Sequence, residues 1–157
     1  SITTFEANPV TLIYECGDHQ LFEATKKISD EYEAAFHTGE RDAAGRIIDF
    51  WGGDGSFDAM PDYVQEYCRQ TTVSNVLDWH TAFSFKATMS DYATLSVPVL
   101  LARGASANMQ MLKITETLQA CIPNQRSVVI EDASHFLITS HPNACADLLG
   151  EFLQEII

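Results

Sequence analysis

Positive charge is scarce in this chain. Its 157 residues carry 9 Lys and Arg against 22 Asp and Glu, a formal net charge of −13. Phosphate recognition needs clustered Lys and Arg, so a nucleic-acid partner is not expected. Long apolar runs are missing too. None approaches the ~18 residues that a membrane-spanning helix requires, and no membrane partner is expected. No basic segment followed by an apolar stretch opens the chain, so no signal peptide is read. Cysteine is sparse, and Cys16, Cys68, Cys121 and Cys145 lie far apart. No pair has C-x-x-C spacing, so neither a zinc knuckle nor a dithiol redox motif is suggested, and a reduced, cytoplasmic setting is the default expectation. His19, His37 and His80 show no metal-ligand spacing such as H-E-x-x-H, and no cofactor is implied. There is no internal repeat, low-complexity tract or flexible linker. What remains is 46% apolar, a composition for one folded domain with a real core.

The most informative stretch runs from Val97 to Pro142. VPVLLARG reads as a buried strand over Val97–Ala102, closed by Gly104. Met111, Ile114, Leu118 and Cys121 then recur at helical spacing, which predicts a helix over Ala107–Cys121 that Pro123 stops. A second β-branched run follows over Arg126–Glu131. A strand, helix, strand unit implies two parallel strands joined by a crossover. Directly after the second strand stands Asp132-Ala133-Ser134-His135-Phe136. A loop at the carboxyl end of a parallel strand is where open α/β sheets place their chemistry. An imidazole there suits a general base, whose proton affinity must match the working pH. The plain alternative is a loop histidine satisfied by backbone.

Three regions follow: residues 1–17 as a first core strand and connection, 18–90 as a helical block, and 91–157 as an α/β core with the histidine loop. Ser1–Phe5 is short and β-prone and begins without a turn or cap, which raises the expectation of further chain upstream. Helical patterns run from His19 to about Thr38, ended by Gly39, and from Asp42 to Trp51. Gly52-Gly53-Asp54-Gly55-Ser56 breaks the chain, and Pro61 starts a helix carrying Tyr63, Val64 and Tyr67. A separate helix is expected over Val73–Phe83, a short one over Asp91–Leu95, and a last one from Pro142.

These residues resemble the second half of the α/β-hydrolase family. SITTFEANP resembles the strand after the nucleophile helix, IIDFWGGDGSFDAMP the helical cap of some members, and DYATLSVPVLLARG the entry to the seventh strand. EDASHFLITSHP is similar to the family's G-A-G-H-x-x-x-x-x-H-P segment, with Asp132-Ala133-Ser134 in place of Gly-Ala-Gly. The resemblance implies a partial α/β-hydrolase fold: a three-stranded parallel sheet with flanking helices and an all-helical cap. It implies that His135 is the catalytic base and that His141-Pro142 begins the final helix, with His141 in a capping role.

Two family features are missing. No G-x-S-x-G nucleophile elbow is present, and Gly53-Asp54-Gly55-Ser56 has the wrong order with no strand before it. The family's usual aspartate after the seventh strand is also absent, since Gly104-Ala105-Ser106-Ala107-Asn108 holds no carboxylate. Some hydrolases carry the acid one strand earlier, and Glu6 occupies that position, where it reads either as an acid partner or as a solvated or capping carboxylate. Cys16 lacks flanking positive charge and makes a poor nucleophile. Trp51, Phe57, Trp79 and Phe136 are the candidate walls of a substrate pocket, with plain core as the commoner use of such aromatics. The expected function is that of the cap-and-histidine portion of a hydrolase acting on an ester-type bond of a small apolar molecule, inactive without a nucleophile half. The alternative is a non-catalytic ligand-binding or interaction domain derived from one. The first strand's unpaired edge leads to the expectation of a homodimer, or of pairing with an N-terminal hydrolase half.

Overall fold

The computed structural model describes residues 1–156. Three strands, β1 (Ile2–Phe5), β2 (Val99–Gly104) and β3 (Gln125–Ile130), form one parallel sheet in the order β1-β2-β3. The central strand is apolar and buried from Val99 to Ala102, as a strand covered on both faces requires. Alternate side chains point to opposite sides, so Val99 and Leu101 enter one core and Leu100 and Ala102 another. On the first side lie helices α1 (Thr11–Glu15) and α6 (Met109–Cys121), which bring Leu12, Ile13, Ile114 and Leu118. On the second lies α8 (Pro142–Glu155), with Leu148 and Phe152. In α6 the stripe closes on Ile122 rather than on Cys121, which is only half-buried.

Between β1 and β2 the chain makes the helical block: α2 (His19–His37), α3 (Ala43–Gly52), α4 (Asp62–Ser84) and the short α5 (Met89–Ala93). Tyr32, Ile47, Trp51, Val76 and Trp79 form its core, which joins the sheet domain through Ala107 and Met111. The two helices expected over Pro61–Tyr67 and Val73–Phe83 are one continuous helix, α4. Nothing at Arg69-Gln70-Thr71-Thr72 breaks it. The Thr71 and Thr72 hydroxyls donate back to the carbonyls of Tyr67 and Cys68, and the inward stripe Cys68, Thr72, Val76, Trp79, Phe83 keeps helical spacing across the join. Two elements were not anticipated: α1, inside the stretch read as the connection after the first strand, and the short helix α7 (Leu137–Ser140) directly after the histidine loop. Among the described residues no helix is long and apolar enough to cross a membrane.

The approach to β2 is set by a capping box at α5. Asp91 Oδ2 accepts from the backbone N–H (2.7 Å) and the hydroxyl (2.7 Å) of Thr88, whose own Oγ1 accepts from the Asp91 N–H at 3.3 Å. The Thr88 backbone N–H, and then its hydroxyl, hold the Asp91 carboxyl below its usual range. A carboxyl lowered on folding stabilises above its unfolded value, and that contribution is lost as pH falls through the folded value. The Tm of Asp91→Asn is therefore expected below that of the parent at neutral pH, the two converging as pH falls below about 4. A gap that persists in acid would assign the effect to something other than the carboxylate.

Candidate active site

The site assembles where β1, β2 and β3 end. The Glu6 N–H donates to the Ala102 carbonyl (2.9 Å), which extends the sheet ladder by one residue. The chain then turns at Glu6 through a left-handed backbone, φ +57°, an uncommon conformation for a residue with a Cβ. That turn sends the side chain inward, where it is 0% exposed. Its two oxygens are both used: Oε1 accepts from the Gly104 N–H and Oε2 from His135 Nδ1–H, each at 2.7 Å. A carboxylate only accepts, so this contact places the imidazole proton on Nδ1 and leaves Nε2 as the free basic nitrogen.

His135 is held from three directions. Its loop leaves β3 through Asp132 at φ +59°, and Asp is one of the few non-glycine residues that tolerate this conformation. The loop backbone is fastened to the segment after β2, where the Ala105 N–H donates to Ile130 and the Ser106 N–H to Ala133, each at 2.9 Å. Trp51 lies against the imidazole, with centroids 4.6 Å apart and planes at 21°. Behind Trp51 stand Trp79 (5.7 Å) and Phe83 (a further 5.9 Å), a column of rings from the imidazole into α4. Glu6 fixes the tautomer and the stack fixes the ring plane.

His135 borders a cavity of about 450 Å³ between α3, α4 and the loop after β1. Trp51, Trp79 and Phe136 line it, as do Ile47, Ile48 and Tyr32. The Phe136 ring lies where a side chain at Gly52 would stand: a Cβ there would approach its ring carbon to 2.5 Å. Phe57 does not line this cavity. It is 4% exposed in a core of Ala44 and Ile48, because the turn after α3 is closed by its own N–H donating to Asp49 Oδ1 at 2.8 Å. Tyr63 faces solvent, 77% exposed. The imidazole also borders a shallower hollow, with Phe5, Glu6 and Ile138.

Asn108 is not an imidazole partner. Its Oδ1 accepts from the Met111 N–H and its Nδ2 donates to the Phe50 carbonyl, so it caps α6 and ties α3 to it. His141 stands at the start of α8, but its ring makes no helix cap and pairs instead with the Ser140 hydroxyl at 2.8 Å. Gly53 and Gly55 turn with φ of +99° and +82° after a helix, so Ser56 occupies a loop rather than a strand-to-helix elbow. Burial pushes the Cys68 thiol up and the Tyr32 phenol to about 12, leaving both pocket residues protonated at neutral pH.

No family model and no curated protein matches the sequence. Solved structures do. A bromoperoxidase from Bacillus anthracis matches with a TM-score of 0.63 and 19% identity, over 80% of this chain and 48% of its own. A meta-cleavage product hydrolase, CumD, matches with a TM-score of 0.55 and 15% identity, over 74% of this chain and 46% of its own. Both have the α/β-hydrolase fold, and the three-stranded parallel sheet with its flanking helices is a part of that fold. The chain spans about half the length of these solved structures.

Proposed function

We propose, from an α/β-hydrolase fold of which this chain spans part, that His135 and Glu6 are the base and acid of a hydrolase acting on an ester-type bond of a small, partly apolar molecule. The observation that carries this reading is the 2.7 Å contact between a fully buried Glu6 carboxylate and His135 Nδ1, at the strand ends and beside an aromatic cavity. In this reading Nε2 takes the proton of an attacking hydroxyl and returns it to the leaving group, while Glu6 holds Nδ1–H and stabilises the imidazolium. The helical block serves as a cap that carries the substrate cavity. The nucleophile and the oxyanion donors belong to the part of the fold these residues do not span.

A second reading is a binding domain derived from a hydrolase. It is favoured by the cavity walls, where the nucleophilic side chains are the Cys68 thiol, raised by burial, and the Thr71 hydroxyl, which donates to the Tyr67 carbonyl.

The test is to isolate the natural protein from its source cells, take its intact mass, and assay it on a panel of nitrophenyl esters beside its His135→Ala variant. Turnover that falls by about 10²- to 10⁴-fold in the variant is the expected outcome, the range for a lost general base. Absence of histidine-dependent turnover across the panel would leave the binding-domain reading. The 157 residues alone are expected to show no histidine-dependent hydrolysis.

A further inference from the structure

The cavity has one apolar wall and one hydrogen-bonding wall. The apolar wall comes from α3, with Ile47, Ile48 and Trp51. The other comes from α4, where Thr71, Asn75 and Asp78 border the same space at intervals of four and three, one face of a helix. Among the described residues the Asn75 and Asp78 side chains make no hydrogen bond and no ion pair, so their polar atoms are available to a ligand. Among the described residues no Lys or Arg borders the cavity, and Asp78 is the one carboxylate that does. The cation on the same stretch of helix, Arg69, is engaged by Asp42 (2.6 Å) and Glu66 (3.5 Å) and lies over the Phe57 ring.

Resting on the hydrolase reading of this pocket, we infer that its substrate class is a neutral or cationic molecule, with an apolar body against α3 and a hydrogen-bond-donating head, hydroxyl or ammonium, against Asn75 and Asp78, and that carboxylate-bearing analogues are excluded. The charge argument is direct. A carboxylate attracts an ammonium and repels an anion, and no fixed cation lies in the cavity to reverse the sign. Asp78 is solvent-exposed, so screening keeps the effect moderate. About tenfold between an ammonium and its isosteric carboxylate is the expected scale.

The chain reports on this pocket without a label, because its two tryptophans, Trp51 and Trp79, both line it. Phenylpropylamine, phenylpropanol and phenylpropionate share one apolar body and differ in the head. Titrated into the chain at about pH 8, they are followed by tryptophan fluorescence. The amine and the alcohol are expected to bind, and the carboxylate about tenfold more weakly than the amine. In Asp78→Asn the amine is expected to fall towards the alcohol while the alcohol holds, and Asp78→Lys should favour the carboxylate. Equal binding of amine and carboxylate to the parent, a preference that Asp78→Asn leaves unchanged, or no binding by any of the three overturns the inference. The ester assay fails or succeeds separately. Ranked binding without histidine-dependent hydrolysis removes the enzyme and keeps the selectivity, and hydrolysis with the ranking reversed does the opposite.

Discussion

Replacing Glu6 by Gln is expected to reverse the tautomer of His135 and to abolish the base function while leaving the fold standing. The Gly104 N–H needs an acceptor, so the new amide must turn its oxygen to Gly104, where Oε1 now accepts at 2.7 Å. Its NH₂ group then faces His135 Nδ1, now bonded to Oε2 at the same distance. Nδ1 must become an acceptor, and the proton moves to Nε2, the nitrogen a base needs free. Folding stability should drop by only about 1–2 kcal/mol, since both hydrogen bonds are remade without charge. In the proposed hydrolase the acid-to-amide change should lower kcat by about 10⁴-fold, the loss that accompanies a wrongly held tautomer in a Ser-His-acid triad. Nitrogen NMR of the His135 ring reads the result without any activity. A parent with protonated Nδ1 and a variant with protonated Nε2 support the reading, and identical ring signals in the two would remove Glu6 from its acid role.

Gly104→Ala should be the most damaging single methyl in the site. A Cβ at that position would overlap the Ala133 carbonyl oxygen and stand 2.7 Å from its carbon and 2.8 Å from the Ser134 carbonyl oxygen. These are backbone atoms of the histidine loop, and they have no rotamer with which to yield. The loop is also bonded to the segment after β2 through Ser106 and Ala133, so relief requires separating two connected strand ends. Overpacking of this kind reaches about 3 kcal/mol or more. The same movement carries His135 away from Glu6, and a displacement of about 1 Å can lower turnover by about 10²-fold. Chemical denaturation of parent and variant measures the first effect. A loss below about 0.5 kcal/mol would mean that the strand ends are free to separate, contrary to the close approach at Gly104.

Local chemistry in the sequence was enough for the pieces. The apolar run of β2, the helical spacing of α6 and the proline that opens α8 each act within a few residues, and each element lies where its pattern points. The histidine loop was equally legible, because a strand followed by a turn and an imidazole is a local arrangement. The break expected within α4 had no such support, since residues that merely lack a pattern do not end a helix when the buried stripe continues through them.

Tertiary structure alone decided what Glu6 and Phe57 do. A carboxylate after a short strand is solvated, capping or buried according to what stands opposite it, and opposite Glu6 stand a backbone N–H from β2 and an imidazole 129 residues away. Phe57 follows a glycine-rich turn, and only the direction of that turn, set by Asp49, sent it behind the cavity rather than into it. Periodicity reports which face of an element is apolar. It carries no information on whether that face meets core or cavity, because that depends on the neighbour across the gap, which strand order and chain reversal supply.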